Sequence, residues 1–191
     1  MTDAPHPPSA SGHLGRAPAS LQDIDVERRV RAADALIFDC DGTLLRTPLL
    51  YAAAWQFAFA NAGQEMDPGW YHDRAGMSEH VLLDAFEAET GVAIDRSRAV
   101  RDLRRFILAH IGSVEEVTAI AAIARANRGH TPMAVASGGS REIVHASLEA
   151  SGLLPLFATV VTIDDVGKAK PAPDLFLTAA ERLETSAQSC L

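Results

Sequence analysis

The chain has 191 residues, is 48% hydrophobic and carries a formal net charge of −8. That is enough for one domain with a buried core, or one domain carrying an insert. The acidic balance argues against nucleic acids and anionic membranes as partners, since both call for a basic surface. Two cysteines, the lack of a membrane-length apolar run and an N-terminus without a signal-peptide layout predict a cytoplasmic, disulfide-free protein.

Residues 1–20 are rich in Pro, Ser, Ala, Gly and His and have no hydrophobic period, so the composition predicts disorder. His6 and His13 read as part of a solvated tail rather than as metal ligands. A short charged helix is expected over 21–33. Residues 35–38 are apolar on both faces, the pattern of a buried strand in a parallel sheet. The run ends abruptly in Asp39-Cys40-Asp41-Gly42-Thr43-Leu44. Pro48 can open a helix over 49–61, with Gly63 as its stop. Ser78 and Gly91 bracket a second helix. Asp95 can cap a third, in which Val100, Leu103, Phe106, Ile107 and His110 fall on one face. No strand signal appears between 49 and 110, so this stretch reads as a helical insert.

Ser113 and Glu116 have the spacing of a capping box, predicting a helix to Arg128 that stops at Gly129. Residues 132–137 read as a second strand, ending in Ser137-Gly138-Gly139-Ser140. A helix comes next, with Ile143, Val144 and Leu148 inward. A third strand is expected over 158–163, a polar loop over 164–170 and a last helix over 174–184. Strands alternating with helices predict an α/β fold with a doubly wound parallel sheet. The division expected is a tail and lead-in at 1–32, a core at 33–47 and 113–191, and a helical cap at 48–112.

In open α/β sheets the ligand crevice lies past the carboxyl ends of the strands. Asp39 and Asp41 fall there. Alone, Asp-x-Asp-Gly serves equally well as an Asx-turn and helix cap. The chemical reading is that one carboxylate, beside Mg2+, attacks phosphorus while the other moves protons. Ser137 and the backbone N–H groups of the glycine turn, Gly138 included, would face the same crevice at a helix N-terminus. By itself this is an ordinary glycine turn with Ser140 as cap. Lys170 comes after the third strand and could neutralise phosphate and nucleophile together. By itself it is a solvent lysine. Trp55, Phe57 and Phe59 read as packing within the insert rather than a substrate platform. Gly76-Met77-Ser78 is a turn that could reach substrate. His72, His80, His110, His130 and His145 have no ligand spacing.

The members gain meaning as a set: an acid pair, a serine and a lysine, each at the carboxyl end of a successive strand. In the segments 37–44, 134–140 and 167–174 the chain resembles the haloacid dehalogenase-like hydrolases, in their β-phosphoglucomutase-like, sugar-phosphate phosphatase branch. The resemblance covers about residues 34–191. It implies that Asp39 is the nucleophile and Asp41 the general acid/base, that Thr43 orients the site, and that Ser137 and Lys170 hold the phosphoryl group. It further implies Mg2+ held at Asp39 and Asp41, a small phosphorylated metabolite as substrate, and a cap that closes over it. A phosphomutase, or a non-catalytic remnant that binds phosphate or a partner, are the alternatives.

Two departures from the family pattern set further expectations. Arg46-Thr47-Pro48 stands where such proteins often carry an acid, then Ser or Thr, then Glu. The acidic fourth motif would come after Cys190-Leu191, the final residues of the sequence. From that, the edge of 35–38 is expected to be unpaired, and this chain weakly active and prone to associate.

Overall fold

The computed structural model describes residues 21–191. The expectations for 1–20, His6 and His13 among them, lie outside the described residues. The chain divides into two units, Met1–Ala32 and Ala33–Leu191. In the first, helix α1 (Leu21–Ala32) is charged as expected, with an exposed Arg28–Asp25 ion pair at 2.7 Å.

The second unit is built on a parallel sheet in the order β1 (Leu36–Phe38), β2 (Met133–Ala136), β3 (Thr159–Val161). Register runs Leu36 to Met133 and Ala134 to Thr159. Central strand β2 is buried at every residue, which explains why both of its faces are apolar in sequence. Ala134, Ala136 and Val161 pack against Leu175 and Ala179 of α8 (Asp174–Arg182). Helix α7 (Arg141–Ala150) connects β2 to the third strand. The α/β class with parallel strands is as predicted.

The outer side of β1 is not bare. Asp34 N–H donates to Ser189 O at 2.9 Å, Leu191 N–H to Ala35 O at 3.0 Å, and Ile37 N–H to Leu191 O at 2.8 Å. The expected unpaired edge is therefore corrected over 35–37, where main-chain groups of 189 and 191 already serve as partners.

Between β1 and β2 the chain forms helices α2 (Pro48–Asn61), α3 (Pro68–His72), α4 (Glu79–Thr90) and α5 (Arg96–Ala109), then α6 (Thr118–Ala126). Pro48 opens α2 at its first turn, and Asp95 caps α5 by accepting from Arg98 N–H at 3.0 Å. The apolar faces of α2, α4 and α5 meet around Trp55, Phe59, Leu83, Phe86, Leu103 and Ile107. Phe59 stacks on Phe86 at 4.1 Å and on Trp55 at 5.4 Å. Asn61 donates to the buried Asp102 at 3.0 Å, a polar tie between α2 and α5.

Three local expectations are corrected. Ser113 and Glu116 form no capping box: Ser113 Oγ donates to His110 O at 2.7 Å, Glu116 pairs with Arg125, and α6 starts only at Thr118. A capping box is present instead at Thr162 and Asp165, around the 3-10 turn Ile163–Asp165 that replaces the end of the expected third strand. Of the expected face of α5, Leu103 and Ile107 are buried and Val100 and Phe106 pack against the same cluster, joined by the buried Ala99 and Asp102, while His110 is exposed with its ring on Phe106.

The two crossings between sheet and helical insert run side by side. Arg46 N–H donates to Glu115 O and Val117 N–H to Leu44 O, both at 2.8 Å, and Leu45 pairs antiparallel with Glu116. The insert also reaches across: Ile143 of α7 is buried within its apolar cluster.

Candidate active site

At the end of β1 the chain turns sharply. Gly42 sits at φ +79, a conformation that suits a residue without Cβ, and the N–H groups of Thr43, Leu44 and Leu45 fold back onto Cys40 O. This knot holds Asp39 and Asp41 at the sheet's carboxyl end. Cys40 between them is buried, and burial pushes its thiol up, which disfavours the reactive thiolate.

The structure brings the predicted residues together. Lys170 Nζ contacts Asp39 Oδ1 and also donates to Ala136 O at 3.2 Å, while Thr43 Oγ1 donates to Asp39 Oδ2 at 3.1 Å. Ser137 Oγ donates to Asp41 Oδ2 at 3.1 Å and accepts from Gly139 N–H at 3.0 Å. Gly138 and Gly139 line the same cavity as the two acids. Lys170 Nζ also lies 5.1 Å from the centre of the Phe176 ring. Asp164 and Asp165 do not join the cluster. Asp164 accepts from Arg141 N–H, and Asp165 is held by Arg141, Arg182 and Thr162.

Sequence reading missed Thr47. Its hydroxyl, buried, donates to Asp41 Oδ1 at 2.7 Å. Burial pushes the Asp41 carboxyl up from its ordinary value; the bonds from Thr47 and Ser137 pull the other way without cancelling it. A carboxyl with a raised pKa is suited to give a proton and take it back near neutral pH.

The insert supplies the rest of the wall: Tyr51 and Trp55 from α2, Tyr71 from α3, the Gly76–Met77 turn, and Glu79 and Leu82 from α4. Of these, sequence reading had singled out only the turn and, as a packing residue, Trp55. Tyr51 and Tyr71 stand parallel at 6.5 Å, both kept as neutral phenols because burial raises their pKa. The space left for the centre of a water molecule is about 20 Å3, room for about one water. The insert is thus closed down on the acids.

No group of three or more His, Cys, Asp and Glu side chains is gathered for a metal among the described residues. Mg2+ does not need one, since it is often held by one or two carboxylates with substrate phosphate and water. The Asp39 carboxylate and the Asp41 main-chain carbonyl are hard oxygen donors of the right kind. Both carboxylates already carry a donor on each oxygen, Lys170 and Thr43 on Asp39 and Thr47 and Ser137 on Asp41.

Similar proteins agree with this architecture. Fructose-1-phosphate phosphatase YqaB of Escherichia coli (strain K12) is 31% identical over 166 residues, covering 82% of this chain and 83% of that protein. The 6-phosphogluconate phosphatase of the same strain is 24% identical over 164 residues, covering 83% and 72%. A solved hydrolase from Pseudomonas syringae superposes with a TM-score of 0.75 at 25% identity, covering 82% of this chain and 74% of that one. Residues 33–191 match the family described as haloacid dehalogenase-like hydrolase, and the chain belongs to that family of enzymes.

Proposed function

We propose that the protein is a Mg2+-dependent phosphatase of small phosphorylated metabolites, sugar phosphates foremost, working in the cytoplasm through an aspartyl-phosphate on Asp39. One observation carries the reading. Asp39, Asp41, Ser137 and Lys170, separated by up to 131 positions in sequence, meet within hydrogen-bonding reach at the sheet's carboxyl end. Packing alone gives no reason to gather two acids, a lysine and a glycine turn in one crevice. The names of the similar proteins, fructose-1-phosphate phosphatase and 6-phosphogluconate phosphatase, favour a sugar phosphate.

The phosphoryl group binds against Ser137 and the Gly138 turn, with Lys170 balancing its charge. An Asp39 oxygen forms a bond to phosphorus as the bond to the sugar oxygen breaks. Asp41, protonated, gives its proton to that leaving oxygen and becomes a carboxylate. Asp41 then takes a proton from water, whose oxygen attacks the phosphorus; the P–O bond to Asp39 breaks and phosphate leaves. Thr47 and Ser137 hold the Asp41 carboxyl in place for both proton transfers. Mg2+, held by Asp39 and the Asp41 carbonyl, would supply positive charge to the phosphoryl oxygens. Residues 48–112 act as a cap that opens for substrate, since the closed cavity has no room for a sugar phosphate, and then excludes water.

The test is Asp39→Asn, which keeps shape but cannot attack phosphorus. With fructose 1-phosphate and Mg2+, turnover should vanish while the circular dichroism spectrum and melting temperature stay those of the parent. A variant keeping more than about a tenth of parental turnover would remove Asp39 from the role, by the scale of single-residue losses in nucleophile variants.

A further inference from the structure

The cap side of the cavity carries two polar groups that the phosphoryl chemistry does not use. The first is Trp55 Nε1, a buried donor with no hydrogen-bond partner among the described residues. A buried unmade hydrogen bond is costly, and such groups in native proteins call for an explanation, a ligand or water among them. The second is Glu79. Its side chain is 12% exposed and lines the cavity. Arg104 grips it through Nε at 2.9 Å and Nη2 at 2.7 Å.

The bidentate grip fixes the Glu79 carboxylate and uses two of its roughly four acceptor positions. Arg104 itself does not line the cavity. A molecule admitted by cap opening and held at the phosphoryl site by one end has its other end toward the cap wall, where Glu79 offers fixed acceptor lone pairs and Trp55 an unused N–H. A hydroxyl suits either group, since it can donate to a carboxylate and accept from an indole N–H. A carboxylate or second phosphate satisfies only the indole. Against Glu79 it sets lone pair against lone pair and charge against charge, an arrangement that costs several-fold to many-fold in affinity.

We propose that Glu79 and Trp55 form a hydroxyl-reading subsite that selects neutral polyol or sugar monophosphates and rejects phosphorylated sugar acids and bisphosphates. The proposal rests on the phosphatase reading above. It also opposes phosphomutase chemistry through a bisphosphate, because the second phosphate would face Glu79.

A matched pair of ligands tests it. Glucitol 6-phosphate and 6-phosphogluconate differ at one end, CH2OH against CO2−. Binding of each is measured by calorimetry on the 191-residue chain without divalent cation, so that turnover does not interfere, with inorganic phosphate as reference. The parent should bind the hexitol phosphate at least about tenfold more tightly than the sugar acid. Glu79→Gln, which restores a donor, should bring the two within about threefold, chiefly by improving the acid. Trp55→Phe keeps the ring and removes the N–H. It should weaken the hexitol phosphate about tenfold and leave inorganic phosphate unchanged. If Glu79→Gln does not fold, the parental ratio and the Trp55→Phe result decide. Equal binding of the pair in the parent, or preference for the acid, with phosphate still bound, overturns the subsite alone. Failure to bind any of the three ligands, both without cation and in the Asp39→Asn chain with Mg2+ present, overturns the subsite and the phosphatase reading together.

Discussion

A Cβ placed on Gly138 would stand 2.8 Å from the main-chain oxygen of Gly76. The phosphate-turn glycine of the core and the turn glycine of the cap thus approach closer than any side chain permits. Gly138 lies where the phosphoryl group is proposed to bind, and Gly76 lies in the loop before α4. In the reading proposed above, this close approach is where residues 48–112 close as a cap on the core.

Gly138→Ala should therefore hold the cap partly open without disturbing the sheet. Its φ lies outside the left-handed region, so alanine strains no backbone angle. The contact is to a backbone oxygen and cannot be relieved by a rotamer change. Expected is a fall in kcat/KM for a sugar phosphate of about 10²-fold, as for other misplacements of catalytic parts by about 1 Å, with the melting temperature unchanged. Parental kcat/KM in Gly138→Ala would mean that closure does not need this approach.

Lys170 is the lysine that matters, and Lys168 is the control. Lys170 reaches Asp39 and the end of β2, whereas Lys168 is exposed in the same loop. Lys170→Ala should weaken vanadate or phosphate binding at least about tenfold, because it removes a charge-assisted contact from a partly buried site. Lys168→Ala should change it less than about twofold, the small effect of an exposed charge. Equal losses in the two titrations would mean that the anion is held elsewhere.

Thr47 should temper the burial-raised proton affinity of Asp41. Its hydroxyl donates to the carboxylate and so favours the charged form. Thr47→Val keeps the branch and removes the donor, so the Asp41 pKa, already raised by burial, should rise further. The step that needs protonated Asp41 is lost as pH rises through that pKa. The falling limb of the kcat/KM profile should accordingly move to higher pH in the variant. A limb that stays put or moves down would separate Thr47 from Asp41 function.

The core half of the site was legible because a strand fixes it. Apolar runs of parallel-sheet type end at 38 and 136, and the residues just past the end of such a run lie at the ligand edge whatever the connecting loops do. Asp39, Asp41 and Ser137 converge for that reason, whereas Lys170 is brought to them by the loop that follows β3. The cap half was not legible. Tyr51, Trp55, Tyr71 and Glu79 sit on helices whose sequence period reports only which face is buried, not that part of it faces a cavity. Five-residue α3 is too short to show a period at all. Thr47 sits between a strand and a helix, where no pattern marks it. The Ser113–Glu116 spacing misled because a capping box depends on where the helix starts, and Glu116 has the stronger partner in Arg125, bound through both oxygens.

The last prediction concerns stability rather than chemistry. Burial alone would raise the pKa of Asp165, but the bonds from Arg182, the Thr162 N–H and hydroxyl, and Arg141 hold its carboxyl well below the usual range. Its side chain is only 4% exposed, so these partners are not replaced by water. They join the loop after β3 to α7 and α8, the two helices beside the phosphate turn and Lys170. A depressed folded-state pKa adds stability above the unfolded pKa, about 3.9, and loses it as pH falls toward the folded value. Asp165→Asn should therefore lower the melting temperature by several degrees at about pH 6 to 7, as expected when a buried charged network loses one member. The gap between parent and variant should stay constant down to about pH 5 and narrow below about pH 4, as Asp165 of the unfolded parent begins to bind a proton. Melting curves of both proteins from about pH 3 to 7 give the comparison. A gap that is independent of pH, or that widens in acid, would show that the carboxylate charge is not what ties these elements together.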